Sequence, residues 1–172
     1  NSYGKGLKEK IDFVELLRKI DRLIFLQLRP DPSSGGTQLE KVEINFLTSH
    51  PKDAGVELFK AMRDLKSVSK ILHLPLQSGS DKILKRMNRK YTAAKYKKLV
   101  ESFRKIVKDS NVTSDIIVGF PGETEKDFKD TLNLVKELQF DGAYIFKYSP
   151  RPVTKASKFK DDVSLEEKER RH

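Results

Sequence analysis

Residues 71–79, ILHLPLQSG, restrict the possible folds of this chain more than any other stretch. Read at the two-residue period of a strand, Leu72, Leu74 and Leu76 fall on one face and His73, Pro75 and Gln77 on the other. A Ser78-Gly79-Ser80 turn follows at once. A parallel strand covered by helices on both sides reads as a continuous apolar run, so the polar second face is out of place there. That face has a use if it looks into a barrel, and is otherwise the solvated side of a one-sided sheet.

The rest of the chain repeats a strand-helix unit. The opening NSYGKG reads as a turn. Residues 12–25 set Phe13, Leu16, Leu17, Ile20, Leu23 and Ile24 at helical spacing, and RPDPSSGGT at 29–37 is a loop. Residues 42–49 alternate as a strand, and Ser49-His50-Pro51-Lys52-Asp53 has the cap and early Pro of a helix that continues through Val56, Leu58, Phe59, Met62 and Leu65. After the turn at 78–80, a short helix over 81–88 precedes a longer one capped by Thr92, with Tyr96, Leu99, Val100, Phe103, Ile106 and Val107 as its apolar stripe. Residues 112–120 form the next strand. Thr124 and Asp127 read as a capping box opening a helix to Leu138, and residues 143–149 form the last strand. Strand, helix, strand is the crossover unit of a parallel sheet, so the expected class is α/β.

Glu43, Asn45, His73, Gln77 and Asp115 all fall on the faces opposite the apolar ones. A barrel interior packed with layers of Val and Ile does not accommodate so many polar groups, so the lumen is expected to hold a polar ligand. Ligands in such barrels sit at the C-terminal ends of the strands, here 48–50, 77–80, 119–123 and 148–151.

Composition narrows the function classes. The chain has no cysteine, which excludes disulfides and any thiolate metal site built from these residues. A formal charge of +10 suits a polyanionic partner, or else is only a basic surface. No apolar run reaches the roughly 20 residues of a membrane span, and the first residues lack a signal-peptide core, so a cytoplasmic or organellar monomer with no membrane partner is expected.

Four blocks, TSHP (48–51), HLPLQSGSDKILKRMNRKYT (73–92), DIIVGFPGETEKDF (115–128) and YSPRPVTKAS (148–157), together resemble the radical S-adenosylmethionine domain of the MiaB-type tRNA methylthiotransferases. The resemblance implies a partial TIM-type barrel: the last four strand-helix units of a six-unit barrel over residues 1–160. Residues 161–172 would begin a helix leading to a C-terminal RNA-binding domain. It also implies S-adenosylmethionine and 4Fe-4S clusters as cofactors, tRNA as partner, and insertion of a methylthio group at C2 of an isopentenylated adenosine. The family's cysteine triad has no counterpart here, so this chain alone is expected to be inactive. The stretch RPDPSSGGTQLE also departs from the family, where helix and strand are joined more tightly. Two sister branches remain alternatives, one acting on threonylcarbamoyladenosine tRNA and the other on a ribosomal protein.

S-adenosylmethionine presents a ribose diol, an adenine ring and an amino-acid end, which call for hydrogen-bonding side chains, an apolar wall and charge partners. With the resemblance, this assigns Gln77, Ser78 and Ser80 to the ribose or carboxylate and Asp115 to a hydroxyl. Ile117 would pack on the base, Gly119 and Gly122 would let the backbone approach, and Tyr148 would wall the adenine. Ser80 reads equally well as an N-cap and Glu123 as a charge at a helix N-terminus. Arg86, Arg89 and Arg151 are assigned to RNA phosphate, against a plain solvated basic face. Met87 and Tyr91 read as core, and His50 and His73 lack the second ligand a metal site needs. Two rivals stand beside this reading. An aldolase-like lyase would need a lumenal lysine, which Lys147 does not supply if Tyr144 and Tyr148 point inward. A non-catalytic RNA-binding barrel fragment is the other.

Overall fold

The computed structural model describes residues 11–27, 42–47 and 50–172. Three parallel strands, β1 (Ile71–His73), β2 (Asn111–Val118) and β3 (Gly142–Lys147), lie side by side in chain order. Helix α1 (Phe13–Gln27) packs on α2 (Val56–Asp64), α2 on α4 (Ala93–Ile106), and α4 on α5 (Glu125–Leu138). These helices cover one face of the sheet. The core between them holds Phe59, Met62, Leu72, Leu74, Leu76, Tyr96, Val100 and Phe103, all without measurable exposure. Burial of each such side chain stabilises by about 1.5–3 kcal/mol, which makes this layer the main support of the sheet.

Local chemistry sets the helix starts. Asp12 Oδ1 accepts from the Glu15 N–H at 2.8 Å, and Thr92 caps α4 by accepting from the Lys95 N–H. Thr124 and Asp127 form the reciprocal capping box of α5. The helix expected from Ser49-His50-Pro51 begins later. Residues 51–53 form a turn closed by the Asp53 N–H on the His50 carbonyl, and α2 starts after an extended Gly55 that offers no side-chain cap.

The strand expected over 42–49 reduces, among the described residues, to one bridge. The Ile44 N–H donates to the Ser67 carbonyl at 2.6 Å, and the Ser69 N–H donates to the Ile44 carbonyl at 3.0 Å. This places 42–47 beside the entry to β1, on the side away from β2. Residues 48–49, the loop at 29–37 and the opening NSYGKG lie outside the described residues.

The strand through ILHLPLQ is interrupted. Pro75 has no N–H for the ladder, and the pairing resumes only at Gln77, which bridges Ile116. His73 pairs with Thr113, so four steps along this segment match three along β2, which is a bulge of one residue. Ser114 repairs the gap from the helix side: its Oγ donates to the Leu74 carbonyl and accepts from the Leu76 N–H, both at 3.0 Å. Tyr96 and Tyr91 donate their hydroxyls to the Leu74 and Leu76 carbonyls, and burial pushes the Tyr91 phenol up to about 12. The three leucines keep their buried face throughout.

Along β2, Val112, Ser114, Ile116 and Val118 are buried under the helices, while Thr113, Asp115 and Ile117 are only partly covered. Asp115 therefore faces away from the helices, and the three strand ends share one rim. Among the described residues no helix is long and apolar enough to cross a membrane.

Candidate functional site

At that rim lies a cavity of about 850 Å³. Gln77 from the end of the bulged segment, Asp115 and Ile117 from β2, Phe146 from β3 and Tyr148 just beyond it all line it. Gln77 reaches it with a backbone in the left-handed region, φ 70°, a conformation rare for a side chain of this kind and characteristic of strained functional positions. Asp115 Oδ2 lies 3.2 Å from Nε2 of His73, whose Nδ1 meets Thr113 Oγ1 at 2.9 Å. Ile117 and Phe120 form an apolar wall with Tyr148, and the Phe120 and Tyr148 rings meet edge to face at 5.0 Å.

Arg86, Arg89, Lys147, Arg151 and Lys155 also line the cavity, against a single acid among the described residues, Asp115. Arg86 is held in place: its Nε donates to the Pro121 carbonyl at 3.0 Å and its guanidinium lies 4.8 Å from the Phe159 ring centroid. Lys147 pairs with Glu169. Arg89 and Arg151 make no ion pair among the described residues.

The other assigned residues take different places. Ser78 is fully buried beneath α5, where its hydroxyl meets Thr131 Oγ1 at 3.2 Å. Ser80 caps α3 (Asp81–Arg86) by accepting from the Ile83 N–H, and donates to Asp127 Oδ1 at 2.7 Å. Neither hydroxyl lines the cavity. Gly119 and Gly122 do not line it either. Gly119 has φ 69°, and a Cβ there would lie 2.3 Å from Cγ of Lys168. The Gly122 N–H donates to Asp162 Oδ1 at 2.6 Å. The close approach that Gly119 permits is therefore to the chain's own C-terminal segment, and at Gly122 it is to Arg86, whose Nε would lie 3.1 Å from an added Cβ.

The helix expected to begin within 161–172 is present, but its packing against the site's turn is the part sequence reasoning missed. Helix α6 (Leu165–Arg171) lies against the turn after β2 through two buried cations. Arg171 Nη1 donates to Glu123 Oε1 at 2.7 Å and to the Glu123 carbonyl at 3.1 Å. Glu123 Oε1 also accepts from the Gly119 N–H at 3.0 Å. Burial pushes the Glu123 carboxyl up, opposed by the Gly119 N–H and Arg171. Lys168 donates to Asp161 Oδ2 at 2.6 Å and sits 5.4 Å from the Tyr148 ring centroid. The Tyr148 hydroxyl donates to the Ala156 carbonyl at 3.0 Å. The only signal in the sequence was the spacing of Lys168 and Arg171, one helical turn apart within a charge run that otherwise reads as solvated.

The Radical SAM superfamily pattern matches residues 6–135. The tRNA-2-methylthio-N(6)-dimethylallyladenosine synthase of Caldicellulosiruptor saccharolyticus is 47% identical over 172 residues, covering 99% of this chain and 33% of that protein. The protein of the same name from Endomicrobium trichonymphae is 54% identical over 135 residues, covering 78% of this chain and 32% of that one. The chain thus spans about a third of the length of the curated relatives it matches. Among solved structures, coproporphyrinogen III oxidase from Escherichia coli, described as a radical SAM enzyme, superposes with a TM-score of 0.58 at 25% identity, over 69% of this chain and 28% of that one.

Proposed function

This chain belongs to the Radical SAM superfamily, and on that premise we propose that it is the C-terminal part of the barrel domain of a tRNA-2-methylthio-N6-dimethylallyladenosine synthase. The observation that carries the reading is the convergence of Gln77, Asp115, Ile117 and Tyr148, from three separate strands, on one cavity with a basic rim. The names borne by the relatives supply the substrate, an adenosine in tRNA, and the rim supplies positive charge for its backbone. The reading places the protein in the cytoplasm.

The cavity suits S-adenosylmethionine in size and in lining. Its volume lies within the roughly 300–1,000 Å³ of small-molecule sites. Ile117, Phe120 and Phe146 offer an apolar wall for a flat base, while Gln77 and Asp115 offer an amide and a carboxylate for hydroxyl and amine groups. When bound, S-adenosylmethionine supplies the hydrogen-abstracting chemistry by reductive cleavage. This chain's own residues hold the cofactor, orient it and shield it from water. The 4Fe-4S cluster does not fit these residues, because no cysteine is present in the sequence. Its thiolates must stand outside these 172 residues.

Salt dependence of tRNA binding tests the reading. Replacing Arg89 and Arg151 together by Ala, with Arg86 left in its structural contacts, should reduce the log–log salt slope by about 1.5 through the loss of two phosphate contacts. An unchanged slope returns both residues to a solvated face. The runner-up, a non-catalytic RNA-binding fragment, is favoured for the chain alone by its lack of cysteine. It predicts the same slope and no affinity for S-adenosylmethionine, which calorimetry separates.

A further inference from the structure

We propose that the open face of β3 carries a second subsite, distinct from the cofactor cavity, in which Tyr144 stacks the target base of the RNA. The proposal rests on the reading of this chain as part of an RNA-modifying enzyme. Tyr144 pairs in register with Asp115, and Phe146 with Ile117, so both rings stand on the side of the sheet opposite the covering helices. Phe146 lines the cavity and Tyr144 does not. Tyr144 lies two residues nearer the start of the strand, about 7 Å lower at the rise of an extended chain.

Tyr144 is 65% exposed and Phe146 is 51% exposed, so none of the described helices covers either ring. Aromatic side chains in successive layers of an open sheet are the geometry that stacks unpaired bases. The surroundings fit that occupant. His73 stands edge to face with Tyr144, ring centroids 6.4 Å apart, and is itself held by Thr113 and Asp115. A Tyr144 ring flanked by this fixed imidazole presents a steady apolar plane with polar groups at its edge. Arg89, Arg151 and Lys155 at the cavity rim suit the phosphates on either side of an inserted base, whereas a neutral peptide would leave them unmatched.

The test uses the holoenzyme containing this chain and a short RNA stem-loop in which 2-aminopurine replaces the reactive adenosine. The measurements are probe fluorescence, RNA affinity by anisotropy and S-adenosylmethionine affinity by calorimetry. Wild type and Tyr144→Phe should quench the probe on binding. Tyr144→Ala and Tyr144→Leu should lose the quenching and bind the RNA about tenfold more weakly, as expected for one lost stack, with unchanged affinity for S-adenosylmethionine. Quenching and affinity unaltered in Tyr144→Ala overturn the subsite alone, as when another part of the protein covers the ring. A parallel fall in S-adenosylmethionine affinity also overturns it, by assigning the ring to the cofactor wall. A wild-type holoenzyme that binds S-adenosylmethionine but neither this stem-loop nor the same stem-loop carrying N6-dimethylallyladenosine overturns the RNA reading itself.

Discussion

Asp127 shows how far a single side chain's role can lie from its apparent one. In the sequence it completes a capping box, and in the fold it also accepts from Ser80 Oγ at 2.7 Å and from Lys82 Nζ at 2.8 Å. Burial would raise its pKa, but the hydrogen bonds from Lys82, Ser80 and Thr124 outweigh it and hold the carboxyl well below the usual carboxylate range. A carboxyl lowered in the folded state stabilises the fold above its unfolded pKa of about 4 and loses that contribution as pH falls below it. Asp127→Asn should therefore lower stability by about 2–4 kcal/mol at neutral pH and flatten the acid limb, as read by urea unfolding at stepped pH. Gly79 is tied to the same region by space: a Cβ there would lie 2.5 Å from the Thr131 Cα. Since backbone cannot swing aside, Gly79→Ala should cost about 3 kcal/mol, seen as a lower thermal midpoint with unchanged helix content. The polarity of Ser78, Ser80 and Asp127 was legible in the sequence. Their partners 47 to 53 residues away were not, and those partners decide between a ligand contact and a cap.

The elements read most easily are those whose signals are local. Helices α1, α4 and α5 carry their own caps and apolar stripes, so periodicity located them. Strands depend on neighbours. The stretch at 42–49 alternates as well as β2 does, yet among its described residues only Ile44 finds a pairing partner. Pro75 was visible in the sequence, but the bulge it imposes and the repair by Ser114 exist only once β2 is alongside. Helix α6 was legible as the start of a helix within 161–172 but not as a packed one, because its partners lie some 45 residues earlier. The pair it forms is shielded, with Arg171 and Glu123 side chains 5% and 2% exposed. Arg171→Met, which strands the carboxylate, should cost about 3 kcal/mol, and adding Glu123→Gln should recover part of it, because an unpaired buried charge is worse than none. Urea midpoints of the two single variants and the double variant decide this. A double variant less stable than Arg171→Met would contradict the account.

For the molecule as a whole, the class of fold was legible from alternation and crossover order, and the rim from the rule that parallel crossovers share one hand. The cavity's far wall was not, since Thr154 and Ala156 are brought to it by the path of the chain after β3. The absence of thiolates sets a firm expectation. The 172-residue chain, reconstituted anaerobically with iron and sulfide, should retain no cluster, and stoichiometric 4Fe-4S absorbance in the purified chain would contradict it. The node at Asp127 has a further consequence for how such sequences can change. It joins the first turns of α3 and α5, so the blocks 77–82 and 119–128 form one mechanical piece although some forty residues separate them. Substitutions at Ser80, Lys82, Thr124 and Asp127 will then not combine additively. A change tolerated in one block depends on what already stands in the other, and viable variants reach new residues there by paired steps.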